Sequence, residues 1–386
     1  MTNKNPFVAA RESNATPCLV CGHPYILDEI DKNLKGEELK TRILEIFTLM
    51  SPLSPSLTPT TPSTLTPISG GITNALYLLT LPTSKYLLRI FGGEGMINRD
   101  SETLTYSNLS TYLGGVSYHG RFGNGRIEGF LEDFKACDLE SMRGKDVIES
   151  VVKLHGYVPE GGVGECELWE QLETWFGEAK DSKTKVNLKL INEIDLNKLQ
   201  TRVQKLKRQI QSSSSAKIVF SHNDLLSANI MRSGSKIQLI DFEYGGANYA
   251  AFDLANHFNE YAGGTVDGVP DYGLLPGEGE KREWVDEYCR LTGGGEGMFD
   301  LVEGFQELNN YYWGLWAIVQ ARNEGVKDFP YDRYAWERVR QGEKERKKRE
   351  EGRWGWKDYL GVIFVAGVVG WGVSKVLDAV DKKIKK

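Results

Sequence analysis

The chain has 386 residues, long enough for one large two-lobed domain or two ordinary ones. Apolar residues make up 40% and charged residues 26%, a balance that excludes disorder for the bulk of the chain. The formal net charge is −6, so no domain-scale excess of Lys and Arg is available to neutralise phosphates, and nucleic acid is excluded as a partner.

Residues 1–24 read as a flexible N-terminus. Five cysteines, Cys18, Cys21, Cys137, Cys166 and Cys289, with no apolar signal segment ahead of them, point to free thiols and a cytoplasmic address. Cys18 and Cys21 have zinc-knuckle spacing, but tetrahedral zinc needs four ligands and no second Cys pair exists. Over 25–50, Ile26, Ile30, Leu34, Leu39, Ile43, Ile46 and Phe47 recur near a helical period, which predicts one or two amphipathic helices. The prolines of residues 51–67 deny that segment both helix and central strand, so a solvated linker is expected there.

"ISGGITNALYLLTL" predicts strand, glycine turn and strand, and "SKYLLRIFGG" a further strand, because β-branched and aromatic residues are punctuated by glycine pairs. "RDSETLTYSNLSTYL" starts a helix with Asp100 or Ser101 as its cap. "VSYHGRF" and "GRIEGFL" complete a small antiparallel sheet. Beyond about residue 133 helical patterns dominate, at 144–155, 165–179, 191–211, 281–291 and 299–322. That shift divides an N-terminal lobe (25–133) from a mostly helical C-terminal lobe (134–345), giving an α+β, two-lobed arrangement.

Between residues 218 and 243 two strand-like runs, "KIVFSHND" and "KIQLIDFEY", each end in an acid. Asp224 follows the first, Asn229 sits five residues later and Asp241 ends the second, so a hairpin of the two runs is expected to bring the three side chains to one edge. Phosphoryl transfer needs this set: a carboxylate to accept a hydroxyl proton, and oxygen ligands to hold Mg²⁺ on the phosphates of ATP. Asp224 is the candidate base, and Asn229 and Asp241 the candidate metal ligands. Upstream, Gly70 and Gly71 let backbone approach phosphate oxygens, with Ser69, Thr73 and Asn74 as donors.

From about residue 25 to 340 the chain resembles the choline/ethanolamine kinase family. "SHNDLLSANIM" followed by "IDFEYGGANYAAFDLANHFNEY" carries the resemblance, a variant of the protein-kinase pattern in which an Asp, an Asn five residues on and a metal-binding Asp recur. It implies the bilobal protein-kinase-like fold and phosphorylation of an amino alcohol by ATP with Mg²⁺. It also implies that Arg89 takes the position of the phosphate-binding Lys, with Glu102 on the following helix as its ion-pair partner. "RIEGFLE" (126–132) matches the segment linking the lobes, whose backbone meets the adenine. Trp313 and Trp316, with Tyr244, Glu260 and Tyr334, match positions walling the amine pocket, where ring faces and a carboxylate hold a cation. Asp253, His257 and His222 are read as bracing groups of the catalytic loop.

"GGITN" and "HNDLLS" look more like ethanolamine kinases; choline kinases more often carry "GGMSN" and a Gln where Leu226 stands. The implied reaction is formation of phosphoethanolamine, the first step of phosphatidylethanolamine synthesis by the CDP-ethanolamine route. A choline or dual-specificity kinase is the alternative, and a membrane-attached pseudokinase scaffold a second; a homodimer is left open.

The charged stretch from 346 leads into residues 359–374, which hold no charged side chain between Asp358 and Lys375, somewhat below the ~20 residues a spanning helix needs. Ala366, Gly370 and Ser374 form a small-residue stripe of the kind that packs transmembrane helices. A short anchor holding the chain on the cytosolic face of a membrane, a helix docked on the C-terminal lobe and a helix lying in the interface all fit this pattern.

Overall fold

The computed structural model describes residues 5–50, 62–68, 74–92, 98–181, 188–327 and 329–368, with side chains as far as residue 351. The chain opens with α1 (Pro6–Ser13), β1 (Cys18–Val20), β2 (His23–Tyr25) and α2 (Gly36–Met50). Next come β3 (Thr64–Ile68), β4 (Asn74–Leu81), β5 (Ser84–Phe91), α3 (Arg99–Leu113), β6 (Tyr118–Phe122), β7 (Gly125–Gly129) and β8 (Lys135–Ala136). The remainder is α4 (Lys145–His155), α5 (Leu168–Lys180), α6 (Lys189–Asn192), α7 (Leu196–Gln211), β9 (Ile218–Ser221), β10 (Ile230–Ser233), β11 (Lys236–Leu239), β12 (Gly246–Tyr249), α8 (Ala250–Asn259), α9 (Glu278–Thr292), α10 (Met298–Asn323) and α11 (Tyr331–Val368). An N-terminal sheet is thus followed by a mostly helical C-terminal lobe, the α+β protein-kinase-like class.

The chain divides into two compact units. The first holds residues 1–171, 212–263 and 271–299, and the second holds 172–211, 264–270 and 300–386. The change from sheet to helix near residue 133 therefore falls inside the first unit, which contains the N-terminal sheet and the segment 218–243 together.

The large sheet of the first unit has the order β1-β2-β6-β7-β5-β4-β3. Its pairs are antiparallel except β2 with β6, which run parallel through Tyr25 and Arg121, so the sheet is larger and more mixed than the sequence pattern implies. Ile43, Ile46, Phe47 and Met50 of α2 pack with Leu79, Leu88, Ile90, Phe122 and Ile127 of the sheet, removing both apolar faces from water. Ile26 and Ile30 belong to the same core but precede the helix. The periodicity expected to make helix across 25–50 thus comes partly from two buried loop residues.

Three further boundaries differ from expectation. Residues 64–68 are strand, not linker; β3 lies at the sheet edge, where Pro67 costs no ladder hydrogen bond. Residues 51–61 lie outside the described residues. The N-cap of α3 is Asn98, whose side chain accepts from the backbone N–H groups of Asp100 and Ser101; Asp100 is inside the first turn and pairs with Arg121 at 2.5 Å. The helix expected over 191–211 is broken, because Asp195 caps a new start by accepting from Asn197 and Lys198.

α10, all but its first two residues in the second unit, runs for 26 residues and α11 for 38. α11 carries the chain to Val368, and among the described residues no helix is long and apolar enough to cross a membrane. Residues 369–374, the last part of the apolar stretch, lie outside the described residues.

Two glycines separate packing from propensity. A Cβ at Gly125, where β7 begins, would lie 2.4 Å from the Arg89 carbonyl oxygen and 2.2 Å from the Phe122 ring. Gly177, in α5, has open space around it. Gly125→Ala is expected to cost about 2 kcal/mol or more, whereas Gly177→Ala should stabilise by up to about 1 kcal/mol. Denaturant midpoints of the two variants, compared with the parent chain, check both signs.

Candidate active site

The segment carrying Asp224 is held from below by α8. β9 pairs with β12, and β10 with β11, so the two acid-ending runs are not partners in one hairpin as expected. They are joined instead by single contacts: the backbone N–H of Ile240 donates to the Asn229 carbonyl at 3.0 Å, and His222 Nε2 meets the Ile240 carbonyl at 2.9 Å. Asp253 accepts from the backbone N–H of His222 and of Asn223, both at 2.6 Å, and Asn256 accepts from that of Leu225 at 2.5 Å. Two helix side chains thereby satisfy three buried loop donors that secondary structure cannot reach.

His222 is neutral with its proton on Nε2. The Asp224 N–H donates into Nδ1 at 3.3 Å, leaving Nε2 to donate to Ile240, and burial lowers the imidazole pKa. Asn223 and Asp241 both adopt left-handed backbone, with φ of 69° and 63°. These are conformations that Asn and Asp tolerate better than other L-residues, and they sit on either side of the reacting groups.

Asp224 and Asn229 meet directly, and Asp241 is near enough to act on Asp224 through its charge. Asn229 Nδ2 donates to the Asp224 carboxylate at 3.0 Å and to its backbone carbonyl at 2.9 Å, so the carboxamide oxygen is the atom left to ligate a cation. Asp241 accepts from Arg89 Nη1 at 3.2 and 3.3 Å. Burial raises the Asp224 pKa well above the usual carboxylate range, and Glu260, Glu243 and Asp241 add to the rise.

Arg89 is not paired directly with Glu102, which corrects the expectation from the protein-kinase pattern. Its Nε donates to Glu128 of β7 at 3.0 Å, and the two oxygens of Glu102 accept from Arg99 at 2.8 Å and Arg126 at 2.7 Å. The reason is register: Arg89 stands opposite Arg126 across β5 and β7, so Arg126 occupies the place between Arg89 and α3. Glu128 also accepts from Arg126 at 2.6 Å, and Arg99 reaches Glu243 at 3.5 Å. Charges therefore alternate along a chain from Asp241 through Arg89, Glu128, Arg126, Glu102 and Arg99 to Glu243. Against burial, Arg126, Arg89 and Arg99 pull Glu102 down to about 2; burial, Asp241 and Glu102 push Glu243 up to about 7. Sequence reasoning missed Glu128, Arg126, Arg99 and Glu243. The available signal was "RIE": an Arg and a Glu two residues apart share one face of a strand.

Glu102, Asp241 and Glu243 bring carboxylate oxygens within 4.8 Å of one another. Carboxylate oxygens are hard donors, which suit a hard cation such as Mg²⁺.

Of the other expected site residues, Asn74 begins β4 and is buried, while Ser69, Gly70, Gly71 and Thr73 lie outside the described residues. In the first unit, Tyr244 accepts through its carbonyl from Asn223 at 2.7 Å and Glu260 is buried in a 3-10 turn. In the second unit, the Trp313 and Trp316 rings meet edge to face at 5.4 Å, and Trp316 contacts Tyr331 at 5.6 Å. Tyr334 packs on Phe329 at 5.7 Å. Both Trp side chains are nearly covered. All five cysteines are free thiols; Cys18 opens β1 and Cys21 lies in the turn between β1 and β2.

Burial also lowers the His257 pKa to about 4; its Nε2 faces the Met142 carbonyl at 3.2 Å. Below pH 6.5 the unfolded chain protonates this histidine while the folded one does not, so acid destabilises the fold. Between pH 6.5 and about 4, stability should fall by about 1.4 kcal/mol per pH unit for this residue. A His257→Gln variant, followed by denaturant unfolding at pH 7 and pH 5, should lose less over that interval than the parent.

The family model for choline/ethanolamine kinases matches residues 65–342. Among curated relatives, a probable choline kinase of Arabidopsis thaliana is 31% identical over 297 residues, covering 71% of this chain and 84% of that protein. A probable ethanolamine kinase of the same plant is 31% identical over 300 residues, covering 72% and 78%. Among solved structures, an ethanolamine kinase of Plasmodium vivax shares the fold with a TM-score of 0.64, at 24% identity over 81% of this chain and 95% of that one. With the family model spanning most of the chain and the catalytic segments inside it, this chain belongs to the choline/ethanolamine kinase family.

Proposed function

We propose that the chain transfers the γ-phosphoryl group of ATP to the hydroxyl of ethanolamine, giving phosphoethanolamine and ADP, the entry step of phosphatidylethanolamine synthesis by the CDP-ethanolamine route. The observation that carries this reading is Asp224, hydrogen-bonded to Asn229 and lying in the field of three further acids, Glu260, Glu243 and Asp241. A carboxylate of raised pKa suits a general base, and the surplus negative charge suits both a metal ion and an ammonium group.

In the proposed reaction Asp224 accepts the proton of the acceptor hydroxyl as its oxygen bonds to the γ-phosphorus and the bond from that phosphorus to the β,γ-bridging oxygen breaks. Arg89 donates to phosphate oxygens. Asp241 and the Asn229 carboxamide would hold Mg²⁺, which, when bound, neutralises charge on the β- and γ-phosphates. Glu260 faces the cationic end of the acceptor. Choline is the second reading, supported by the relative at 31% identity that is described as a probable choline kinase.

An ATP-consumption assay across ethanolamine, its methylated forms and choline tests the reading directly. The highest kcat/KM is expected for ethanolamine, and no turnover with any of them would end it. In the same assay Asp224→Ala should lower turnover at least ~10²-fold with ATP binding retained, since loss of base and positioning is of that order. Near-parental turnover would remove Asp224 from the mechanism.

The aromatic residues are checked by a split in Michaelis constants. Trp313→Ala and Trp316→Ala should raise the acceptor KM about tenfold or more with the ATP KM little changed, as cation–π contacts to a desolvated amine are worth up to ~2 kcal/mol each. An equal rise in both constants with a lowered melting temperature assigns the pair to packing.

A further inference from the structure

Arg89 and Arg126 face each other across β5 and β7, and like charges directly opposite in a sheet repel. Both guanidinium groups are buried, so water cannot screen them. One carboxylate resolves the conflict: a single Glu128 oxygen accepts from Arg89 Nε at 3.0 Å and from Arg126 Nε at 2.6 Å. Glu128 lies two residues after Arg126 on the same strand, hence on the same face, and its own exposure is 3%.

The orientation of Arg89 follows from this contact. Binding through Nε fixes the guanidinium plane and directs Nη1 towards Asp241, which it reaches at 3.2 Å. Glu102 is occupied by Arg99 and Arg126 and supports Arg89 only at one remove. We propose that Glu128, from strand β7, is the positioning residue for the phosphate-binding Arg89, in place of the helix-borne acid of the protein-kinase pattern. This rests on the proposed ATP-dependent reaction.

The role has a kinetic signature. Glu128→Gln keeps the side-chain shape and removes the charge that orients Arg89, so the KM for ATP should rise about tenfold. The acceptor KM should change less than about twofold, a split that general loosening of the fold does not produce. In an Arg89→Ala background the same substitution should have no further effect on the ATP KM, because nothing remains to be oriented. Glu102→Gln should still add its own, separate effect there.

If Glu128→Gln does not fold, Glu128→Asp keeps the charge on a shorter arm and should show the same split at several-fold size. An unchanged ATP KM in the folded Gln or Asp variant overturns the assignment, as does an undiminished Glu128 effect in the Arg89→Ala background. Those outcomes leave an active parent enzyme. A parent enzyme that phosphorylates neither ethanolamine nor choline overturns the functional reading, and the assignment with it.

Discussion

The alternating chain of carboxylates and guanidinium groups from Asp241 to Glu243 is the constraint on which the candidate site depends. Apart from Asp241 at 28%, its side chains are at most 10% exposed. Taking such charges out of water costs several kcal/mol per ion, and only close opposite neighbours offset it. Each internal member therefore has two partners, drawn from β5, β7 and α3, and the two ends return to one short segment after β11. Four acids alternate with three bases, and because Glu243 is raised to about 7 the surplus negative charge is only partly present at neutral pH. A cation bound near Asp241 would complete the alternation.

A second polar scaffold sets the other half of the site. Asp253 and Asn256 on α8 accept the backbone donors of 222, 223 and 225, and His155 links Asp253 to Tyr288 at 3.0 and 2.8 Å. These bonds fix a loop too irregular to satisfy itself. They also hold Asn223 in its left-handed conformation, which Asn248 secures by donating to the Asn223 carboxamide at 2.7 Å. The loop is thus tied down where Asp224 leaves it, and the candidate base is placed by backbone and helix alike.

Asp224, Asn229 and Asp241 stood out in the sequence as candidates because phosphoryl transfer calls for those residue types at that spacing. The strand pairing around them was not legible. β9 and β11 are four residues each, too short for composition to choose a partner, and the true partner of β9 lies beyond Asp241. The role assigned to Glu102 was misread for a related reason. That reading compared positions along the chain, whereas the partner of Arg89 is set by the cross-strand register that puts residue 126 opposite residue 89. The expected start of α3 lies two or three residues late because Asn98, Asp100 and Ser101 are all good caps, and Asp100 is instead taken up inside the first turn by Arg121 and Arg11.

The shared oxygen of Glu128 has a consequence for how this lineage of chains can change. Because that one atom lies between two facing arginines, losing the acid leaves Arg89 with Asp241 alone and Arg126 with Glu102 alone, and removes what separates the two positive charges. Accepted substitutions should then arrive as compensated sets spanning β5, β7 and α3. Where a related chain lacks an acid at the position of Glu128, the residue facing Arg89 would be expected to have surrendered its positive charge as well.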